Sequence, residues 1–242
     1  MFMFTNKQKI LIVCAITFLS IAGYQMGEYY SEQRWIAEKA RAIVQTTQAS
    51  NKEDEILALR DYIRKHVRYE GLSESGRPFL RATAKETLQS GRGFCGEATR
   101  AFIVLARSLG IRSQRVNLYG RINHVVAEVE LNGRLVLVDL QENPVTNSIL
   151  DRQWWTVDEV LFLKESPWKN YSNIHLGRLP LINLFVHRIR LRIGLISWIV
   201  ENPPLMKAIL FLVLAVMVVS FYVIDRVFVE GLERADRRSG GC

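Results

Sequence analysis

The chain has 242 residues, 49% of them hydrophobic and 23% charged, with a formal net charge of +8 at pH 7. Its length fits one large domain or two small ones. The positive charge raises the question of nucleic acid, but much of it lies beside apolar terminal segments, where it would meet anionic lipid headgroups. The sequence contains no basic patch with interleaved aromatic side chains and no nucleic-acid-binding motif. These features disfavour a nucleic-acid-binding protein.

The chain begins with an apolar segment, since residues 10–27 contain no charged side chain. A helix of roughly 20 residues crosses about 30 Å of hydrocarbon, and about 17 residues is the lower limit. Residues 1–27 are therefore predicted to form a transmembrane anchor. A cleaved signal peptide is the alternative, because Lys7 and Lys9 precede the segment and the small residues at positions 20–22 form an acceptable cleavage site. Either a transmembrane anchor or a signal peptide would export the residues that follow.

Residues 28–165 are predicted to form an α+β domain. The predicted elements are a helical region over 31–69 with Asn51 as a helix cap, a loop over 71–78, helices over 84–89 and 96–109, and strands over 115–119, 125–131 and 135–140. The dipeptide Asn132-Gly133 separates the last two strands and predicts a tight hairpin, because both positions tolerate positive φ. Helices followed by antiparallel strands indicate the α+β class.

The C-terminal part is predicted to return to the membrane. Residues 166–205 form a membrane-proximal amphipathic segment, in which residues 178–200 are apolar with three embedded arginines. Three charges make a transmembrane span costly, so a helix at the membrane surface fits better, although the alternation over 188–192 also fits a short strand. Residues 206–225 are predicted to form a second transmembrane helix, and residues 226–242 a cytoplasmic tail.

The positive-inside rule gives the expected orientation. Lys7 and Lys9 precede the first span and four arginines follow the second, which favours both termini in the cytoplasm. The three arginines at positions 188–192 favour the opposite orientation. We expect a membrane protein with two spans, membrane lipid among its partners, and an extracytoplasmic domain over residues from about 28 to 205.

The cysteines single out one position. Cys14 lies in the first apolar segment and Cys242 is the last residue, so Cys95 has no disulfide partner within the predicted domain. Cys95 follows a glycine loop (GRGFCG) and precedes the helix predicted over 96–109, whose positive end favours the reactive thiolate. The flanking glycines let the backbone approach a substrate closely and can free an N–H for an oxyanion. A buried, inert cysteine is the alternative.

A histidine and an aspartate lie at the open end of the predicted hairpin. His124 begins one strand and Asp139 ends the other, both away from the turn, so the two residues lie within reach of one another. This arrangement suits a general base and the carboxylate that orients it. Each residue alone also fits a structural histidine or the end of a strand. The order Cys95, His124, Asp139 favours a catalytic triad.

These segments resemble the transglutaminase-like core domain, a family with a papain-like arrangement of Cys, His and Asp. The resemblance covers roughly residues 53–145 and rests on GRGFCGEATRAFIVLARSLGIRSQRV and NHVVAEVELNGRLVLVDL. It implies that Cys95 is the nucleophile, His124 the base and Asp139 its partner, with no cofactor. The chain departs from the family at Val126, where an aromatic residue is common, and at Leu140, where proline is common.

The resemblance implies a membrane-anchored amide hydrolase or acyl transferase that acts on an extracytoplasmic peptide or protein through a thioester. Arylamine acetyltransferases share the Cys-His-Asp order, but they are soluble and need coenzyme A. A catalytically silent binding module in a membrane assembly is a second possibility. A metal site formed by Cys95 with His66 or His124 is a third, which the absence of CxxC and HxxxH spacings disfavours.

Overall fold

The computed structural model of the chain describes residues 6–70, 82–173 and 194–239, with side chains up to residue 228. The chain divides into two compact units, one made of Met1–Tyr29 with Pro204–Cys242 and the other of Tyr30–Pro203. The predicted loop over 71–78, residues 178–193 of the predicted amphipathic segment and Cys242 lie outside the described residues.

The described elements run from helices to a sheet and back to helices. The helices are α1 (Asn6–Thr47), α2 (Lys52–His66), α3 (Ala84–Ser90), α4 (Cys95–Ser108), α5 (Pro144–Leu150), α6 (Val157–Phe162), α7 (Leu195–Glu201) and α8 (Pro203–Ser239). The strands are β1 (Ser113–Gly120), β2 (His124–Leu131), β3 (Arg134–Val138) and β4 (Trp168–Ser172). Asn51 caps α2 by accepting a hydrogen bond from the Asp54 N–H at 2.9 Å, as the sequence predicts.

The helices α1 and α8 carry the two apolar segments, and both are long and apolar enough to cross a membrane. Their most apolar windows have mean hydropathies of 1.9 and 2.6, and only 11% of each window is buried. In the unit made of Met1–Tyr29 and Pro204–Cys242, the rings of Phe18 and Phe211 lie 6.1 Å apart and Lys7 pairs with Asp225 at 2.5 Å. The prediction of two candidate membrane-spanning helices on either side of the domain in sequence is confirmed.

Four strands form one antiparallel sheet in the order β3-β2-β1-β4. The hairpin of β2 and β3 closes with Leu131 opposite Arg134. Its turn residues have positive φ angles, 52° at Asn132 and 76° at Gly133, so the turn predicted from the dipeptide is confirmed. Helices combined with this antiparallel sheet confirm the α+β class.

The two faces of the sheet pack against different helices, because successive side chains of a strand point to opposite faces. One face packs against α2 and α4 through side chains such as Ala127 and Val129. The other face packs against α5 and α6 through Val126 and Leu137. Strand β2, whose first residue is His124, therefore contributes to both cores.

The domain extends beyond residue 165, where the sequence predicts its end. Strand β4 pairs antiparallel with β1, and its Trp168 is fully buried. Helix α7 also belongs to the packed unit, since Ser197 and Glu201 are buried. Strand β4 is short and is buried only at its two ends, so it lacks the alternation of apolar and polar residues by which a strand is recognised in sequence.

Replacing Trp168 with alanine tests whether β4 is part of the core. We expect Trp168→Ala to lower the free energy of unfolding by about 3–5 kcal/mol, because a large buried ring leaves a cavity. Phe162→Ala is the matched control, since this ring is 89% exposed, and it should change stability by about 0.5 kcal/mol or less. Urea unfolding followed by the fluorescence of the remaining tryptophans measures both. Equal effects of the two substitutions would contradict the assignment.

Candidate active site

The loop that leads to Cys95 is shaped by its glycines. Gly91 has φ +65°, and a Cβ atom there would lie 3.0 Å from the carbonyl oxygen of His66. A Cβ atom at Gly93 would lie 2.8 Å from Cβ of Glu97, closer than real Cβ atoms approach. The segment after α2 pairs with this loop, because the Arg68 N–H donates to the Gly91 carbonyl at 2.9 Å. Glycine is therefore required at both positions because the loop passes close to neighbouring atoms. The sequence alone suggests a different role, in which the glycines let a substrate approach the backbone.

Cys95 is the first residue of α4 and is partly exposed. The preceding residue, Phe94, is fixed on both sides: its N–H donates to the Glu97 carboxylate at 3.1 Å and its carbonyl accepts from the Ala98 N–H at 3.0 Å. The first N–H groups of a helix have no partner within the helix. The Cys95 N–H therefore lies at the positive end of α4, where it can donate to a developing negative charge.

His124 is held between a carboxylate and an aromatic ring. Its Nε2 atom lies 2.9 Å from Oδ1 of Asp139. The Trp168 ring stacks on the imidazole with centroids 6.4 Å apart and planes at 19°. Only 5% of the His124 side chain is exposed. Trp168, which the sequence does not mark, thus limits the access of water to the imidazole.

Asp139 directly follows β3 and is held by three different parts of the chain. The Thr146 hydroxyl donates to Oδ2 at 2.8 Å, and the Gln141 N–H donates to Oδ1 at 3.1 Å. The Arg64 guanidinium donates to the Asp139 carbonyl at 3.1 Å and pairs with Asp151 at 2.8 Å. Thr146 and Arg64 are supporting residues that sequence reasoning missed. Nothing in their local sequence marks them, because they reach Asp139 only through the fold.

The charge of His124 is set by its two partners. Burial alone would lower the pKa of His124, but hydrogen bonds to Asp139 and to Cys95, together with their negative charges, raise it to about 9. Because Nε2 contacts Asp139, Nδ1 is the nitrogen that remains for the sulfur. A pKa of about 9 keeps the ring positively charged at neutral pH. The arrangement can therefore hold a thiolate and an imidazolium side by side.

Tyr69 is a further residue at the site that sequence reasoning missed. Its ring meets that of Phe94 edge-on, with centroids 5.3 Å apart, and the pairing of Arg68 with Arg92 holds it there. Partial burial raises the pKa of the Tyr69 phenol, and the negative charges of Cys95 and Glu97 raise it further. The phenol therefore keeps its proton and can donate a hydrogen bond near Cys95.

The described residues do not assemble a metal site. They contain no group of three or more His, Cys, Asp or Glu side chains that could hold a metal ion. His66, which the sequence leaves as a possible ligand, is exposed, and its Nδ1 atom lies 2.8 Å from the carbonyl oxygen of Tyr62. The structure brings together Cys95, His124 and Asp139, and His66 does not join them.

Comparison with known proteins places this geometry in context. A sequence model of the transglutaminase-like superfamily matches residues 38–158, which is half of the chain. None of the curated proteins matches. A solved structure of a candidate cysteine protease from Cytophaga hutchinsonii is similar at 21% identity and a TM-score of 0.39, over 45% of this chain and 37% of that one. A candidate protease from Parabacteroides distasonis is similar at 14% identity and a TM-score of 0.39, over 53% and 27%. The chain thus spans about a third of the length of these proteins.

The raised pKa of His124 predicts a specific loss of stability with pH. The imidazolium stabilises the fold fully below the ordinary histidine pKa of about 6.5, and this contribution is lost as pH rises through about 9. We expect a loss of about 3 kcal/mol in the free energy of unfolding across this window. Asp139→Asn should abolish most of this pH-dependent loss, since the carboxylate charge that stabilises the His124 imidazolium is gone.

The matched control for Asp139→Asn is Ser148→Ala, because the Ser148 hydroxyl is exposed and donates only to the Val145 carbonyl of its own helix. This variant should keep the wild-type pH dependence. Urea unfolding at a series of pH values measures all three proteins. If wild type and Asp139→Asn respond to pH alike, the coupling between His124 and Asp139 is not as described.

Proposed function

Because the chain belongs to the transglutaminase-like superfamily, we propose that it is a membrane-anchored cysteine enzyme that cleaves or transfers amides through a thioester on Cys95. The observation that carries the proposal is the buried hydrogen bond of 2.9 Å between His124 and Asp139, with Cys95 at the start of α4 close enough to raise the pKa of His124. A nucleophile, a base and a carboxylate that orients the base are the groups that acyl transfer requires.

In the proposed reaction the Cys95 thiolate attacks the carbonyl carbon of an amide. The Cys95 N–H at the start of α4 stabilises the negative charge that develops on the carbonyl oxygen. His124 then gives its proton to the departing amine, and a thioester remains on the sulfur. Water or a second amine attacks the thioester while His124 accepts a proton, which releases the product and restores the thiolate.

Asp139 orients His124 throughout this sequence. Its carboxylate holds the proton on Nε2 and so keeps Nδ1 directed to the sulfur. It also stabilises the imidazolium that the ion pair requires. Buried carboxylates of this kind usually act through orientation and charge without taking the proton themselves.

The proposed substrate is an extracytoplasmic peptide or protein. Two helices long and apolar enough to span a membrane support membrane anchoring. Lys7, Lys9 and the four arginines at positions 226, 234, 237 and 238 favour a cytoplasmic position for both ends of the chain. The domain between the two helices would then face the outer side, with membrane lipid around α1 and α8.

Alkylation by iodoacetamide tests the activated thiol. We expect Cys95 to react near pH 7 at least about tenfold faster than in His124→Ala, because the imidazolium that stabilises the thiolate is lost in the variant. The rate is read from the Cys95 peptide by mass spectrometry, which separates it from Cys14 and Cys242. Turnover should vanish in Cys95→Ser and in His124→Ala. Asp139→Asn should also be costly, since the equivalent change in a serine triad lowers kcat about 10⁴-fold.

The same measurement distinguishes the enzyme from a catalytically silent binding module. A silent module needs no activated thiol, so its Cys95 would react at the same rate in wild type and in His124→Ala. That result, obtained with a folded variant, would favour the binding module and contradict the proposed enzyme.

A membrane-impermeant thiol reagent tests the proposed orientation, and the chain carries its own control. In intact cells the reagent should label Cys95, which lies in the domain, and should leave Cys242 unlabelled because the tail is cytoplasmic. Permeabilised cells should show label on both. Labelling of Cys242 without Cys95 in intact cells would contradict the proposed topology and indicate the opposite orientation.

A further inference from the structure

A cluster of buried charges lies next to the candidate site. Arg100 on α4, Arg115 on β1 and Glu201 on α7 are each no more than 2% exposed. The Glu201 carboxylate accepts from Arg115 Nε at 2.6 Å and from Arg115 Nη2 at 2.7 Å, and Arg100 Nε lies 3.4 Å from it. Charges buried this deeply are costly unless they are paired, so both arginines depend on Glu201.

The cluster reaches the first turn of α4 through Arg115. Its Nη2 atom donates to the Gly96 carbonyl at 2.8 Å, one residue after Cys95. The absence of a side chain at Gly96 makes room for this contact, because a Cβ atom there would lie 3.1 Å from Arg115 Nη1. Asn173 fixes the backbone of Arg115 by donating to its carbonyl at 3.1 Å.

The charge of Arg115 also acts on Cys95. Burial opposes the charged form, but Glu201, Glu97 and Cys95 together hold the pKa of the Arg115 guanidinium above its ordinary value. Arg115 therefore contributes positive charge close to the start of α4. Glu97 contributes negative charge near both arginines, and Glu32 does so near Arg100. Removal of an arginine charge from the cluster therefore makes the electrostatic potential at the Cys95 sulfur more negative, and removal of the Glu201 charge makes it more positive.

We propose that Glu201 is a positioning residue for Cys95, which acts by holding Arg115 against the Gly96 carbonyl at the start of α4. Glu201 lies outside residues 38–158, the region that the superfamily model matches. The candidate site is thus completed by a residue that the matched region lacks. The inference rests on the proposed function, since it assigns a role in the reactivity of Cys95.

The test compares two alkylating reagents on the full chain in detergent, iodoacetate with a negative charge and neutral iodoacetamide. Arg115→Gln should lower the ratio of the iodoacetate rate to the iodoacetamide rate at Cys95 by at least about threefold, because positive charge is lost. Glu201→Gln should raise this ratio, because negative charge is lost near the sulfur. It should also lower the iodoacetamide rate itself, because Arg115 is no longer held against the Gly96 carbonyl. A purely structural role would lower stability and leave the ratio unchanged.

Arg134→Gln and Glu159→Gln provide matched controls. These residues form an exposed pair at 2.8 Å on β3 and α6, so the same charges are removed outside the buried cluster. Both controls should keep the wild-type ratio. If the single buried variants do not fold, the double variant Arg115→Gln/Glu201→Gln removes one charge of each sign and so keeps the net charge of the cluster. It should still slow iodoacetamide severalfold because Gly96 loses its charged donor.

The outcomes separate this inference from the proposed function. If wild-type Cys95 reacts no faster than in His124→Ala, the proposed function fails. If wild-type Cys95 is activated but a folded Glu201→Gln or double variant keeps the wild-type rate and ratio, only the role of Glu201 is refuted. Opposite changes of the ratio in Arg115→Gln and Glu201→Gln would support it.

Discussion

The hydrogen bond between His124 Nε2 and Asp139 Oδ1, 2.9 Å long and almost fully buried, is the interaction on which the candidate site depends. A carboxylate and an imidazole buried together are stable only when their hydrogen-bonding groups are satisfied. The fold meets this requirement on the carboxylate with the Thr146 hydroxyl and the Gln141 N–H, which donate to its two oxygens. Loss of Asp139 would leave the buried imidazole without this hydrogen bond, and loss of Thr146 would remove one donor from the carboxylate.

The sheet determines where that bond forms. Strand β2 begins with His124, and β3 ends directly before Asp139, so the register of one hairpin brings both residues to its open end. Helix α4 packs on the same sheet and presents Cys95 from its first turn. The three candidate residues thus lie on or next to α4, β2 and β3, which contribute to one hydrophobic core, so packing helps to set their spacing.

Much of this could be predicted from sequence, because the signals are local. The glycine loop before Cys95, the Asn132-Gly133 turn and the positions of His124 and Asp139 along the hairpin each depend on neighbouring residues. The support around them could not be predicted. Thr146 contacts Asp139 from α5, Trp168 contacts His124 from β4, and Glu201 contacts Arg115 from α7. Neither the short strand β4 nor the short helix α7 has a periodic pattern. Such contacts depend on the tertiary fold, which a single sequence does not reveal.

Formation of an acyl-enzyme tests the central claim most directly. Wild type, His124→Ala and Cys95→Ser would be mixed with p-nitrophenyl acetate, an activated ester, quenched in acid and digested, and the acetyl group located by mass spectrometry. If Cys95 is a nucleophile activated by His124, the acetyl group accumulates as a thioester on the Cys95 peptide in wild type and is strongly reduced in His124→Ala. Acetyl groups found only on lysines, or on Cys95 to the same extent in wild type and in His124→Ala, would contradict the account.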